Sequence, residues 1–437
     1  MNGTPRPDSV STKCQRIATL ARQMPQTALT SLSHHMDLDW LREAYRRTRK
    51  DGAAGVDGQT AKDYEANLEG NLQSLLDRAK SGTYFAPPVR RVYIPKGTGN
   101  QTRPIGIPTF EDKVLQRAVT MALEAVYEQD FKDGSYGFRP GRSAHQALQA
   151  FWDQAMAMGG GWIVEVDIQK FFDTLDHRRL RELLDRRIRD GVIRRLIDKW
   201  LKAGVMEEGC VRHPELGTPQ GGVISPLLAN VYLHHVLDVW FEEIRPHLQG
   251  QAFLIRYADD FVMGFSNERD ARMIYSLLPK RFEEFGLKLH PDKTRLIRFQ
   301  PPGPTRPDPE SFDLLGFTHH WGRSLKGKWV VQRQTAASRL TRALQRVWDW
   351  CRRHRHHSLP DQCNALGQKL RGHYGYYGVT GNKRSLDTFL HQVQRIWRYW
   401  LNKRSQRRTY NWEAFGQVLR RHPLPTPIIV HSIYRRT

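Results

Sequence analysis

Cysteine is scarce in this chain. Only four of its 437 residues are cysteine (Cys14, Cys210, Cys351 and Cys363), and they are scattered, without a CxxC pair. That spacing argues against a disulfide framework and a zinc ribbon, and it fits a reducing compartment. Acidic residues are also in deficit, 45 Asp and Glu against 68 Lys and Arg, which leaves a formal charge of +23. Long apolar runs are missing too, since none reaches the ~20 residues that a bilayer span requires. Near the N-terminus Arg16, Arg22 and Pro25 interrupt the apolar residues, so no signal-peptide core is expected. These absences predict a soluble cytoplasmic protein with no membrane partner.

What is present is a sizeable core fraction, 39% hydrophobic residues against 26% charged, in a length that suggests about three domains at ~150 residues each. A cationic surplus of this size favours a polyanionic partner and salt-dependent binding. A solvated basic surface is the plainer alternative.

The chain opens on Ser, Thr, Pro and Gln, and its first thirty residues are expected to be loosely ordered at the start. Helical spacing follows over 37–49 behind a capping Asp37, and again over 64–81 after a Gly-rich break at 51–58. A strand is predicted at 89–94, a polar turn at 96–101 and an amphipathic helix at 110–131. Next come a strand at 162–168, an Arg-rich helix pair at 177–203 capped by Asp176 and broken at Gly191, and a loop at 209–222. An apolar helix is expected at 223–244, a hairpin at 253–265 and a helix near 268–285. The Pro-rich stretch 301–309 reads as a linker, followed by strands to about Val331 and then helices. The pattern is α+β for the first three hundred residues and helical afterwards.

Asp259 and Asp260 lie side by side in the turn of the predicted hairpin, between apolar strands. Adjacent carboxylates repel, and the arrangement makes sense if a hard divalent cation such as Mg²⁺ binds there. Asp167 ends the apolar run Trp162-Ile163-Val164-Glu165-Val166, from which a strand would deliver it to the same place. Three acids on neighbouring strand ends suit a two-metal site for in-line phosphoryl transfer. Asp167 and Asp259 are the expected ligands of two Mg²⁺ ions, with Asp260 as the supporting third carboxylate. In so basic a chain this points to a nucleic-acid polymerase.

Tyr257-Ala258-Asp259-Asp260 resembles the catalytic box of the reverse transcriptase palm, and Val166-Asp167-Ile168-Gln169-Lys170-Phe171-Phe172-Asp173 resembles that family's first metal-binding motif. The remaining blocks follow in the order seen in group II intron reverse transcriptases: Ile94-Pro95-Lys96 with 102–109, Tyr136-Gly137-Phe138-Arg139-Pro140-Gly141-Arg142-Ser143, 217–226 and 286–294. The likeness runs from about Leu38 to the C-terminus. It implies a right-hand polymerase, with fingers and palm followed by an α-helical thumb or maturase domain. The expected divisions are an RNA-binding N-terminal extension at 1–83, fingers and palm at 84–300, the thumb at 301–400 and a basic segment at 401–437.

The resemblance also assigns roles. Phe172 becomes a steric gate against a ribonucleotide 2′-hydroxyl, with Phe171 in the core; on residue type alone Phe172 is itself a core residue. Lys96 and Arg103 would clamp the incoming triphosphate, although a cation pair in a hairpin is otherwise ordinary surface. Gln220, with Gly221 and Gly222, would let backbone approach the nucleotide, or mark only a Gly-rich start to a helix. Lys293 resembles the lysine that protonates the departing pyrophosphate. Arg139 and Arg142 look like template-strand contacts.

The C-terminal third interleaves cations (Arg339, Arg342, Arg346, 352–357 and 403–408) with Trp348, Trp350, Trp397, Trp400 and Trp412, as an RNA-binding surface would. Trp397 and Trp400 read as helix core. Residues 370–382 resemble the maturase signature. Cys351, Cys363, His354, His356 and His357 lack a paired zinc-binding frame. The cysteine pairs of an HNH nuclease are also missing, so second-strand cleavage is not expected.

The implied function is an RNA-directed DNA polymerase that binds its group II intron RNA to promote splicing and retrohoming. Its partners would be that RNA, an RNA template with DNA primer, dNTPs and target DNA. An exapted reverse transcriptase in defence or diversity generation, and a splicing-only RNA-binding factor, remain the alternatives.

Overall fold

The helix Phe110–Tyr127 organises the first half of the chain. Thr109 caps it through Oγ1 to the Asp112 amide at 3.2 Å, and Val114, Leu115, Ala118, Val119, Ala122, Leu123 and Val126 are wholly buried. A helix apolar round most of its circumference belongs at the centre of a large core. Helices Val10–Gln23 and Leu38–Arg47 pack on it, and Trp40, fully buried, donates its indole N–H to the Ala118 carbonyl at 2.9 Å.

The computed structural model describes residues 9–95, 102–207, 210–212 (backbone only), 221–303, 310–405 and 410–433. Among these the strands are β1 Val89–Pro95, β2 Thr102–Ile107, β3 Gly161–Val166, β4 Val205–Glu207, β5 Cys210–Arg212, β6 Ala252–Tyr257, β7 Asp260–Phe265, β8 Arg295–Phe299, β9 Phe312–Leu314, β10 Phe317–Arg323 and β11 Trp329–Thr335. The chain divides into two compact units. One comprises Met1–Ala147, Val166–Met263 and Arg269–Arg295, the other Leu148–Glu165, Gly264–Glu268 and Leu296–Thr437.

In the first unit β2, β1, β4 and β5 form a sheet in that order, with Ile94 opposite Arg103 on the antiparallel β1–β2 pair. The predicted helix pair is present as His177–Asp185 and Gly191–Lys202, capped by Asp176 and Asp190. Three expectations change. The first thirty residues contain the helix Val10–Gln23, capped by Ser9. Buried Arg187 fixes the chain that follows: it pairs with Asp130 at 2.7 Å and donates to the carbonyls of Ala21, Met24 and Thr27. The apolar helix at 223–244 is interrupted by a π-helical turn, His234–Asp238. The expected loop 209–222 holds β5. The turn 96–101 and most of that loop lie outside the described residues.

In the second unit β11, β10 and β9 form an antiparallel sheet, and helices Ala337–Arg353, Leu359–Tyr377, Lys383–Leu401 and Trp412–Arg421 follow. Their core includes Val347, Leu366, Leu370, Tyr374, Phe389, Val393, Trp397 and Phe415. Helix Ala144–Met158 begins before this unit's first residue and was not expected from the sequence.

Candidate active site

Asp167 directly follows β3 and is half-buried. Its carbonyl accepts the His290 amide at 2.8 Å, while the Gln169 amide reaches the Lys288 carbonyl at 2.8 Å. These bonds tie the motif around Asp167 to the segment that carries Lys293. Lys293 Nζ lies 3.1 Å from Asp167 Oδ2, so two predicted site residues meet.

Asp259 lies in the β6–β7 turn and Asp260 begins β7 with its side chain exposed. The turn is a constrained piece of backbone. Ala258 adopts φ 59°, a left-handed conformation that costs a non-glycine residue about 1 kcal/mol or more. What holds it is Arg256, fully buried one strand position before Tyr257. Its guanidinium donates to the Ala258 carbonyl at 3.0 Å, to Asn230 Oδ1 at 2.9 Å and to Ser135 Oγ at 2.7 Å. It also grips Asp238 with two bonds, at 2.7 and 2.5 Å. Asp238 ends the π turn, a geometry that often marks functional places in helices. A buried charge needs a partner and full hydrogen bonding, and Arg256 has both. Sequence reading passed over this residue because an Arg within an apolar strand carries no motif of its own beyond its place beside the box.

The block 136–143 packs behind the same turn. The Tyr136 amide donates to the Arg256 carbonyl and the Arg256 amide to the Gly134 carbonyl, each at 2.8 Å. A Cβ on Gly137 would lie 2.3 Å from the Ala258 nitrogen, so only glycine fits there. The expectation that Arg139 contacts template is overturned. Its side chain is 4% exposed, pairs with Glu128 at 2.9 Å and donates to the carbonyls of Lys132 and Ser135. Arg142, in contrast, is partly exposed beside Asp133.

Burial raises the Asp259 carboxyl above its ordinary range and the Asp167 charge pushes the same way, while Arg103 and Arg256 oppose them. Asp167, Asp259 and Arg103 are therefore electrostatically coupled. Among the described residues, no group of three His, Cys, Asp or Glu side chains stands close enough to hold a metal ion ready-made. The donor chemistry nevertheless suits one: two mutually repelling carboxylates, one in a desolvated place, are relieved by a hard cation.

Phe171 and Phe172 are both buried, at 2% and 9% exposure, with ring centroids 5.3 Å apart. Phe171 is the deeper of the two and packs on Tyr232 at 6.4 Å. Lys96 and Gln220 lie outside the described residues. Gly221 has φ 116°, and a Cβ there would lie 2.5 Å from the Gly106 carbonyl, so its close backbone approach is to β2.

In the second unit, the maturase-like segment 370–382 is a structural knot. Asn382 Nδ2 donates to Thr335 Oγ1 and the Tyr377 carbonyl, and its Oδ1 accepts the Thr335 amide. The amides of Val430 and His431 bond the Gly378 carbonyl. Trp397 is core as expected, whereas Trp400 is only partly buried against it. Trp348 stacks on exposed Tyr399 at 4.9 Å. Arg339, Arg346, Arg352 and Arg353 are exposed. Cys351 is buried with its thiol pushed up to about 12, as a neutral core group.

Residues 94–319 match the reverse transcriptase (RNA-dependent DNA polymerase) family. The chain is 38% identical to Protein YkfC of Escherichia coli (strain K12) over 58% of its own length and 75% of that protein. It is 42% identical to the Group II intron-encoded protein LtrA of Lactococcus lactis subsp. cremoris over 44% of its length, which is 32% of LtrA. It is 26% identical to Nuclear intron maturase 2, mitochondrial, of Arabidopsis thaliana over 30% of its length and 23% of that protein. The chain thus spans three quarters of one relative and about a third of another. With a palm-type carboxylate turn locked from behind and a match across more than half its length, the chain belongs to the reverse transcriptase family, and part of it is similar to a group II intron-encoded protein.

Proposed function

We propose that this protein copies RNA into DNA and binds a group II intron RNA to promote its splicing and retrohoming. The observation that carries the reading is the carboxylate turn that Arg256 holds in place, together with Lys293 beside Asp167. In the reaction a primer 3′-oxygen attacks the α-phosphorus of a dNTP. The α–β bridging bond breaks, pyrophosphate leaves and the 3′-hydroxyl proton is lost. Asp167 and Asp259 would hold two Mg²⁺ ions, with Asp260 beside them. Metal held there would supply Lewis-acid chemistry, making the primer 3′-hydroxyl more acidic and offsetting charge on the departing pyrophosphate.

The protein's own groups do the rest. Arg103, whose charge reaches Asp259, binds phosphate oxygens of the triphosphate, together with Lys96. Lys293, beside Asp167, donates a proton to the departing pyrophosphate. Phe172 closes the space under the sugar, and Gln220 lines the nucleotide. The exposed arginines and stacked aromatics of the second unit contact intron RNA by charge and stacking. The intron RNA performs the cutting and joining, and the protein stabilises its folded form.

The test is primer extension and RNA capture with Asp259→Asn. Extension is expected to vanish while RNA binding stays within about twofold, because a carboxylate is lost and no cation is. Sequencing the RNA that co-purifies from the native host identifies the partner. One dominant intron-ended RNA supports the maturase reading; a short unrelated structured RNA would point to an exapted role. Retained extension would refute the site.

A further inference from the structure

Behind the helix Ser225–Leu233 lies a buried polar chain that the mechanism above does not use. Asp112, 1% exposed, accepts at Oδ1 from Tyr84 Oη at 2.7 Å and from Trp200 Nε1 at 2.6 Å. Its Oδ2 accepts from Gln116 Nε2 at 3.0 Å, and Gln116 Oε1 accepts the Ile224 amide at 3.3 Å. Ile224 is the cap of that helix and lies just after Gly221 and Gly222. The same short stretch is pinned on its other side, where Gly221 meets β2 backbone.

The chain has a polarity. An indole N–H only donates, so Trp200 requires an acceptor at Asp112 Oδ1. A carboxylate presents a second acceptor at Oδ2, which turns the Gln116 amide nitrogen inward and leaves its oxygen facing Ile224. The direction of the last bond is thus set at the far end of the chain, by Trp200. We propose that Asp112 is a positioning residue for the incoming nucleotide: through Gln116 it fixes the backbone of the 221–224 segment, which packs on β2, the strand that carries Arg103.

Substituting Asn for Asp112 keeps the size and reverses the polarity. Trp200 still demands the amide oxygen of the new side chain, so its nitrogen must face Gln116. The Gln116 amide then flips and turns its own nitrogen toward the Ile224 N–H, two donors in opposition. An alanine would be less informative. Asp112 and Gln116 border a cavity of about 20 Å³ with Gly222 and Ile224, room for about one water that could carry the lost bonds. Gln116→Glu in the Asp112→Asn background restores an acceptor toward both the introduced amide and Ile224, so the pair forms a reciprocal rescue.

The inference rests on the polymerase reading, and the experiment separates the two. Steady-state extension of oligo(dT) on poly(rA) is measured against dTTP for wild type, Asp112→Asn, and Asp112→Asn with Gln116→Glu, alongside thermal melts. The expected result is a KM for dTTP raised at least about fivefold by Asp112→Asn with kcat within about twofold, and a return to within about twofold of wild type in the double variant. A purely structural role would instead lower the melt and leave KM unchanged in the folded fraction. An unchanged KM, or a double variant no better than the single, overturns the proposal. If Asp112→Asn fails to fold, Gln116→Met removes the links to Ile224 and to Asp112 Oδ2 while Tyr84 and Trp200 keep theirs to Oδ1, and the same rise in KM is required. An inactive wild type would count against the polymerase reading itself.

Discussion

Arg256 donates to the carbonyl of Ala258 at 3.0 Å, from a guanidinium that Asp238 neutralises. The residue carrying the left-handed φ immediately before Asp259 is therefore held by a buried ion pair from a π turn elsewhere in the chain. Asp238→Asn leaves Arg256 charged and uncompensated, a cost of about 3–5 kcal/mol. Denaturant melts of the variant should show that loss, and kcat for extension should fall in the fraction that remains folded. A variant as stable as wild type would mean the pair does not support the turn.

The acid limb of the activity profile should respond to Arg103. Burial, then Asp167, raise the Asp259 carboxyl, so it takes up a proton at a higher pH than an ordinary carboxylate. Activity that needs the ionised form is lost as pH falls through that raised value. Arg103 favours the ionised form, and Arg103→Gln should move the acid limb of kcat/KM to higher pH. Added Mg²⁺ should move it back down. An acid limb that stays in place in the variant would dissociate Arg103 from Asp259.

Phe172 is the shallower member of the Phe171–Phe172 pair. Phe172→Val opens space at this position, and incorporation of rNTP relative to dNTP should rise about tenfold or more. An unchanged ratio with a lowered melting temperature would return Phe172 to the core.

In the second unit, Asn382→Ala removes two donated bonds and one accepted bond from a buried position. The expected loss is about 1–3 kcal/mol, read as a lower melting temperature. Asp259→Asn should leave the same transition unmoved.

The arginines show where sequence reading stopped. In a chain of charge +23 Arg139 reads as a template contact while nothing marks out Arg187 or Arg256, yet all three are buried and engaged by Glu128, Asp130 and Asp238. Charge is visible in a sequence, but the partner that consumes it lies many residues away. The helix pair expected over 177–203 was legible because its signals are local, the Asp176 cap and the break at Gly191. The helix Val10–Gln23 was not, because what orders the chain after it is Arg187, far along the sequence.

By itself the sequence determined the α+β architecture and the family, since periodicity, caps and the order of motifs are written along one dimension. Tertiary structure alone decided which charges remain for nucleic acid, why Gly137 faces Ala258, and how Asp112 reaches Ile224. Those depend on close approaches and hydrogen-bond polarity between distant segments, and a buried polar group is defined only by what surrounds it.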